Sequence, residues 1–163
     1  MKKIIIIGCP GSGKSTFAKK LHQITHIPLY HLDLLYWNKD KTTVDKKIFM
    51  HRLNEIFQKN TWIIDGNYNA TMELRMKHCD TIIFLDYPVE LCLEGIQARK
   101  DKPRSDMPWI ESDEDKDFID FIKNYNLQSK PNVLALLNQY QDKNIYIFNE
   151  RSHAELFLNQ LQQ

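Results

Sequence analysis

The segment that most constrains the fold of this chain is residues 4–24, where an apolar run, a glycine-rich turn and an amphipathic stretch follow one another directly. Residues 4–7 are four consecutive isoleucines, a pattern typical of a parallel strand that is covered on both faces. Glycines recur through residues 8–13, and from Lys14 onward the apolar residues recur at helical spacing. This succession predicts a buried strand, a tight turn and a helix.

The turn between the predicted strand and helix matches the phosphate-binding pattern G-x-x-x-x-G-K-[ST] completely. Its glycines let successive N–H groups point at phosphate oxygens, and the helix N-terminus adds further unpaired donors. The Lys14 ammonium can reach the β- and γ-phosphates, and the Ser15 hydroxyl can bind Mg²⁺. We therefore expect ATP and Mg²⁺ as cofactors. The predicted nucleotide-binding residues are Gly8, Cys9, Pro10, Gly11, Ser12, Gly13, Lys14, Ser15 and Thr16.

The rest of the chain alternates short apolar runs with segments of helical periodicity. Strands are predicted at 4–7, 27–32, 62–64, 81–85 and 145–148, and helices at 14–24, 45–59, 89–99, 113–127, 131–140 and 154–161. This alternation predicts an α/β fold with a parallel sheet, in one domain spanning residues 1–163. Residues 34–60 and 100–112 are interpreted as excursions from that domain.

Composition excludes several other classes of protein. The formal net charge is +1, so the basic excess of a free-standing DNA-binding protein is missing and we expect no direct nucleic-acid binding. The three cysteines form no CxxC pair, which favours reduced thiols. No apolar stretch reaches the roughly 18 residues of a membrane span, and the first apolar run is too short for a signal peptide. We expect a cytoplasmic protein without a membrane partner, and the pattern predicts no particular oligomeric state.

Among P-loop proteins, the pattern favours the small kinases. A GTPase would carry an N-K-x-D motif, and in the nearest string, at residues 38–41, the aspartate comes one position early. What remains resembles the nucleoside monophosphate kinases and shikimate kinase. That resemblance implies a three-layer fold with sheet order 2-3-1-4-5 and helices on both faces. It also implies that residues 34–60 lie on the acceptor side and that residues 100–112 form a short lid-like loop.

Two aspartates at predicted strand ends are candidates for the chemistry. Asp33 closes the second strand, where ligands gather in parallel sheets, and its carboxylate can hold or activate an acceptor hydroxyl. Asp65 follows the third strand and resembles the Walker B aspartate, which orients Mg²⁺ or its water. Asp86, after the fourth strand, is the alternative. We favour Asp65 because Gly66 lets a substrate approach the backbone, so Gly66 is also assigned to the substrate site.

Three of the five arginines lie where a small kinase holds phosphates. Arg75, ten residues after Asp65, is predicted to hold an acceptor anion such as a monophosphate. Arg99 and Arg104 flank the start of the predicted lid, and we expect phosphates to be their best partners. Lys14, Asp33, Arg99 and Arg104 are thus the predicted catalytic residues. Asp33, Gly66 and Arg75 are the predicted substrate-binding residues, and Ser15 and Asp65 the predicted metal-binding residues.

Together these strings resemble the topology modulation protein (FlaR-type) family, a branch of the adenylate kinase-like P-loop proteins. The matching segments are GCPGSGKST, His31-Leu32-Asp33 with Trp37, WIIDGNY with Arg75, IIFLDYP, and Arg99 with the RSDM loop. The resemblance implies an influence on DNA topology. Members tend to carry an arginine near position 95, where this chain has Gly95 inside a predicted helix, at a cost of about 1 kcal/mol relative to alanine.

We therefore predict a kinase that transfers the γ-phosphoryl group of ATP to a small hydroxyl, nucleoside or nucleotide acceptor. The alternative is an ATP-binding regulator that affects DNA topology with little turnover. Tyr36 and Trp37 fit two roles equally, stacking on an acceptor ring or packing in the core. Ser112, with Asp115 three residues later, is interpreted as a capping box at the start of the helix predicted over 113–127.

Overall fold

The computed structural model describes residues 1–112 and 115–163. The five strands are β1 (Lys3–Gly8), β2 (Leu29–His31), β3 (Trp62–Asp65), β4 (Thr81–Leu85) and β5 (Asn144–Phe148). The helices before β4 are α1 (Lys14–Thr25), α2 (Leu32–Tyr36), α3 (Lys46–Phe57) and α4 (Asn69–His78). The later helices are α5 (Val89–Arg99), α6 (Lys116–Lys123), α7 (Tyr125–Gln128), α8 (Lys130–Gln139) and α9 (Arg151–Leu161).

The strands form one parallel sheet in the order β2-β3-β1-β4-β5, which confirms the predicted topology. β1 is central, with Ile6 opposite Asp65 of β3 on one side and Ile83 of β4 on the other. At the edge, His31 of β2 is opposite Asp65. Because all strands run the same way, the turn after β1 and the polar residues after β2 and β3 lie at one edge of the sheet.

The alternating isoleucines of β1 divide the core into two layers. Ile5 and Ile7 pack with side chains from α3, α4 and α8, whereas Ile4 and Ile6 pack with side chains from α1, α5 and α9. All four side chains are fully buried. The continuous β-branched run therefore forms the structure that its pattern predicts, a central strand with helices packed on both faces.

The structure differs from the prediction at several places. The second strand is shorter than 27–32, because the chain turns into α2 at Leu32. The segment 69–78 is helical but was not predicted, since its buried side includes Thr71 and Arg75 and gives no apolar stripe. The helix predicted over 113–127 is interrupted between α6 and α7, and its first residues, Asp113 and Glu114, lie outside the described residues.

The predicted capping box at Ser112 is also corrected. α6 begins at Lys116, and its N-cap is Asp115, whose carboxylate accepts a hydrogen bond of 3.1 Å from the Phe118 N–H. None of the helices in the described ranges is both long enough and apolar enough to cross a membrane. The three cysteines are buried and free of disulfide bonds.

A close backbone contact, which the sequence does not reveal, explains why position 95 is a glycine. α5 crosses the phosphate-binding turn so closely that a Cβ built on Gly95 would lie 2.1 Å from the carbonyl oxygen of Gly11. A Cβ on Gly11 would in turn lie 2.0 Å from the carbonyl oxygen of Cys92. Backbone therefore contacts backbone here, and neither position has room for a side chain.

Gly95→Ala should consequently destabilise the protein, although helix propensity alone predicts a gain of about 1 kcal/mol. Overpacking at such a contact costs about 1–3 kcal/mol and should displace the turn, so nucleotide affinity should fall too. Thermal denaturation and ATP titration measure both effects. Glu94→Ala, at an exposed neighbour on α5, serves as the control. A raised melting temperature with unchanged ATP affinity would show that the close contact is absent.

Candidate active site

A cleft of about 1160 Å³ opens at the carboxyl ends of β1, β2 and β3. It is bordered by the turn 10–16, the residues that follow β2 and β3, and the loop 100–112, which we call the lid loop. The predicted site residues that line it are Pro10, Gly11, Ser12, Gly13, Lys14, Ser15, Thr16, Asp33, Asp65, Gly66, Arg99 and Arg104. Of the other predicted site residues, Gly8, Cys9 and Arg75 lie beneath its surface.

The turn 8–15 is shaped for an anion. Gly8, Gly11 and Gly13 all have positive φ values, of 154°, 82° and 91°, which curl the backbone around a central space. Within the described residues, the N–H groups of 13–16 have no hydrogen-bond acceptor, and the buried Ser12 Oγ has no partner. α1 begins here, so its dipole also favours negative charge. These donors suit the phosphates of a nucleotide.

The Lys14 ammonium lies over this turn. Its Nζ donates to the carbonyl oxygens of Gly8 at 3.0 Å and Cys9 at 3.1 Å. Burial lowers the pKa of Lys14, whereas the carboxylates of Asp65 and Asp33 act in the opposite direction. The cation is therefore held between the turn and two acidic side chains, and among the described residues no carboxylate contacts it directly.

Asp65 faces the cleft from the end of β3, and the residue is only 4% exposed. His31 Nδ1 lies 2.8 and 2.9 Å from its two oxygens, so the ring of a β2 residue orients it. The competing candidate, Asp86, does not line the cleft and pairs with the Lys130 ammonium at 2.8 Å. Asp65 is thus the better placed of the two for a metal-bound water.

Asp33 lies in the first turn of α2, with its carboxylate in the cleft. The Tyr68 hydroxyl donates to Asp33 Oδ1 at 2.9 Å. Burial raises the pKa of Asp33, and the hydrogen bond from Tyr68 and the charge of Lys14 oppose that shift. A carboxylate with a raised pKa is the better acceptor of a proton from a hydroxyl group.

The lid loop contacts the phosphate-binding turn through Asp106 and Ser15. Its carboxylates bind Arg104 of the loop and Arg99 at the end of α5. Arg104 binds both oxygens of Asp106, with Nε at 3.0 Å from Oδ1, and also Glu111 at 3.1 Å. Arg99 binds Glu111 through Nε at 2.8 Å. The expectation that phosphates are the best partners of these arginines overlooked the acids that the same loop supplies.

Asp106 also joins the lid loop to the metal-binding position. Ser15 Oγ donates to Asp106 Oδ2 at 2.7 Å. Burial raises the pKa of Asp106, but the hydrogen bonds from Arg104 and Ser15 outweigh it and hold the pKa well below its usual range. Because the Ser15 hydroxyl hydrogen is directed at Asp106, the oxygen lone pairs are left for a cation.

Arg75 does not lie where a residue that binds an acceptor anion in the cleft is expected. It is fully buried, and its guanidinium donates to the carbonyl oxygens of Gly66 at 3.0 Å, Tyr68 at 3.1 Å and Asn67. Its Nε donates to Thr71 Oγ1 at 3.2 Å. Burial lowers its pKa to about 9, so it stays protonated at neutral pH. Arg75 holds the turn after β3 and does not face the cleft.

The sequence pattern did not single out several residues of the site. Tyr36 and Trp37, for which two roles were open, take one role each. Tyr36 packs against the core, whereas Trp37 lines the cleft. The partners that were missed are His31, Asn67, Tyr68, Asp106, Trp109 and Glu111. The first four lie within the quoted motifs, among them Asn67, whose Oδ1 accepts the Gly8 N–H at 3.1 Å. Trp109 and Glu111 lie outside those motifs and had no such signal.

Sequence comparison connects the chain to adenylate kinases over part of its length. The proteins named adenylate kinase of Thermotoga petrophila and Thermotoga maritima are each 30% identical to it over 91 residues. The match covers 54% of this chain and 40% of each relative. No protein-family model matches the chain, so the resemblance to the topology modulation proteins stays a prediction.

Structural comparison extends over the whole chain. Shikimate kinase from Acinetobacter baumannii, solved in complex with shikimate, superposes with a TM-score of 0.66 at 17% identity, covering 100% of this chain and 92% of that one. Shikimate kinase from Bacteroides thetaiotaomicron gives 0.58 at 18% identity, covering 98% and 95%. With the sheet order and the glycine-rich turn, these likenesses establish that the chain has the P-loop kinase fold.

Proposed function

We propose that this chain is an ATP- and Mg²⁺-dependent small-molecule kinase that transfers the γ-phosphoryl group of ATP to a hydroxyl acceptor. One observation carries the proposal. The cleft holds a turn whose N–H donors at 13–16 have no partner among the described residues and, beyond Lys14, the Asp33 carboxylate of raised pKa in the first turn of α2. A nucleotide-binding regulator needs the first of these features but has no use for the second.

Some residues of the site would bind ATP, and others would bind the hydroxyl acceptor. The N–H groups of 13–16 and the Lys14 ammonium would bind the triphosphate, and Lys14 would stabilise the charge that develops as the phosphoryl group transfers. Arg99 and Arg104 would assist when a phosphate competes with Glu111 and Asp106 for them. Asp33 would accept the proton of the attacking hydroxyl. Positioning and electrostatics together supply most of the rate in this chemistry.

The chain also fits Mg²⁺ carried by the nucleotide. Mg²⁺ in such sites keeps several waters and takes only one or two protein ligands besides phosphate oxygens. In the described part of the chain, no cluster of three acidic, histidine or cysteine side chains forms a self-sufficient metal site. Ser15 Oγ would bind the ion and Asp65 would hold one of its waters, which agrees with a metal that arrives with ATP.

Asp33→Asn tests the acceptor side of the proposal. Acceptor-dependent phosphoryl transfer should fall by about 10²–10⁴-fold, the range for removing a positioned acid–base group, while ATP affinity stays nearly unchanged. In the unsubstituted protein, transfer should fall as the pH decreases through the raised pKa of Asp33, above the ordinary value of 3.8. ADP release and ATP titration measure the two quantities.

The control is Asp40→Asn, which removes an exposed carboxylate outside the cleft. It should leave transfer unchanged. Equal losses of ATP affinity and transfer in Asp33→Asn would mean that Asp33 serves the nucleotide or the fold. Tight ATP binding with no ADP release for any of a panel of nucleosides, nucleotides and small alcohols would instead support the nucleotide-binding regulator.

A further inference from the structure

The end of the cleft beyond Lys14 is walled by aromatic rings. Trp109 of the lid loop contacts Trp37 edge to face, with ring centroids 5.2 Å apart. Trp37 contacts Tyr36 at 5.3 Å, and Tyr36 contacts Tyr68 at 4.7 Å. Trp37, Tyr68 and Trp109 all line the cleft and are only partly buried. They therefore offer ring surface to a ligand at this end.

The polar groups at the same end are acidic. Asp33 lies beside Tyr68, Asp65 lies one strand inward, and Asp106 lies on the lid loop above Ser15. Burial is the main cause of the raised pKa of Asp33. The charges of Asp65 and Asp106 raise this pKa further, and the charge of Lys14 lowers it, so these groups act on the same space. An anionic group bound there would meet like charges.

The described arginines do not compensate for this charge. Arg52 donates to the carbonyl oxygen of Leu35 and does not line the cleft, and Arg75 is buried beneath the turn. Arg151 lines the cleft from α9, which follows β5 at the opposite edge of the sheet.

The remaining cations are paired or screened. Arg99 and Arg104 are paired with the carboxylates of the lid loop. Lys41 and Lys102 line the cleft as exposed side chains, and Lys19 and Lys100 as partly buried ones, so water reaches all four ammonium groups and screens their charge. Apart from Lys14, whose ammonium lies over the glycine turn and is assigned to the triphosphate, no described side chain therefore offers an unpaired, desolvated cation to an acceptor anion beside Asp33.

We propose that the acceptor is an uncharged hydroxyl compound with a flat ring, in the chemical class of the nucleosides. This inference rests on the proposed kinase function. The ring lies against Trp37 and Trp109, and the hydroxyl lies at Asp33. The hydroxyl oxygen forms a bond to the γ-phosphorus of ATP, the bond from that phosphorus to the β,γ-bridging oxygen breaks, ADP leaves, and the hydroxyl proton passes to Asp33.

The test compares each nucleoside with its own 5′-monophosphate, which has the same ring and sugar and differs only in the phosphate. Adenosine, guanosine, cytidine, uridine and thymidine, their monophosphates, and shikimate are assayed with Mg-ATP for ADP release. At least one nucleoside should exceed its monophosphate about tenfold or more in kcat/KM, because like charges disfavour the monophosphate. A monophosphate or shikimate that matches or exceeds every nucleoside overturns the inference and leaves the kinase function standing.

Binding measured without turnover separates the ring-binding site from the kinase function. Each nucleoside is titrated in the presence of a non-hydrolysable ATP analogue and Mg²⁺, with tryptophan fluorescence as the signal. Trp62 is fully buried, so a ring bound at this end should perturb mainly Trp37 and Trp109. Saturable quenching without ADP release in the kinetic assay supports a ring-binding site at this end but overturns the kinase function and, with it, the assignment of nucleosides as acceptors. No quenching and no release with any nucleoside overturns the inference.

Substitutions of the two tryptophans at this end of the cleft test where the ring of the acceptor binds. Trp37→Leu and Trp109→Leu should each raise the KM for the nucleoside by about 10-fold, the scale of a lost ring stack, with the KM for ATP unchanged. Ile110→Ala changes the neighbouring, exposed side chain of the same loop and should alter neither constant. Wild-type KM values in both tryptophan variants would place the ring elsewhere and overturn the assignment.

Discussion

Lys14→Ala should abolish measurable ATP turnover, with kcat reduced by about 10³–10⁵-fold. This is the range for removing a cation that stabilises a transferring phosphoryl group. Lys14 is the cation that lies over the glycine turn, between its carbonyl oxygens and the carboxylates of Asp65 and Asp33. When phosphates occupy the turn, the ammonium can exchange these carbonyl oxygens for charged ones, which bind it more strongly.

The same variant should fold normally. Burial lowers the pKa of Lys14, which means that its charged form is held at a cost in the folded protein. Alanine removes that cost together with two hydrogen bonds to backbone carbonyls, so the melting temperature should change little. Circular dichroism and thermal denaturation measure the fold, and ATP titration and ADP release measure the function.

Lys20→Ala is the matched control for Lys14→Ala. Lys20 lies in the same helix but outside the cleft, where its ammonium pairs with Glu155. Its loss should leave turnover unchanged, because an exposed ion pair contributes little to stability. Normal ATP affinity and turnover in Lys14→Ala would show that the glycine turn does not serve phosphoryl transfer.

Arg75→Lys should destabilise the protein by about 3 kcal/mol, since buried groups left without a partner cost about 1–3 kcal/mol each. The guanidinium reaches three carbonyl oxygens and the Thr71 hydroxyl from a fully buried position. A lysine ammonium is a compact donor and cannot span these acceptors. For a chain of this length the melting temperature should fall by about 6–12 °C.

Acceptor-dependent phosphoryl transfer should also fall in Arg75→Lys, because the position of Tyr68 depends on Arg75. Tyr68 has a φ of 26°, a backbone conformation that costs energy for a residue other than glycine. Arg75 binds its carbonyl oxygen, and the Tyr68 hydroxyl binds Asp33. Releasing the turn should therefore misplace the group that orients Asp33, and transfer should fall more than ATP affinity.

The outcome separates the two roles considered for Arg75. A residue that held an acceptor anion would raise the KM of the acceptor without lowering the melting temperature. Arg52→Lys is the control, because Arg52 is only partly buried and donates to one carbonyl oxygen, that of Leu35. It should change the melting temperature little. An unchanged melting temperature in Arg75→Lys would restore the role predicted from the sequence.

The sequence alone was sufficient for the features that depend on local pattern. The isoleucines of β1 and the glycine turn determined the strand, the turn and the helix, because β-branched runs, positive φ angles and 3.6-residue spacing are local properties. The resemblance to small kinases supplied the sheet order, which the structure confirms. The aspartates at strand ends could be placed in the cleft in advance, since parallel strands end at one edge of the sheet.

The tertiary structure decided the features that depend on contacts between distant segments. Arg75 and a surface arginine look alike in the sequence, and only the turn packed around Arg75 shows that its donors are already used. Arg104 likewise pairs with Asp106 and Glu111 of the lid loop. Gly95 contacts Gly11, 84 residues earlier in the chain, because α5 crosses the turn. Burial, charge pairing and backbone approach arise only when the chain has folded, so no local pattern encodes them.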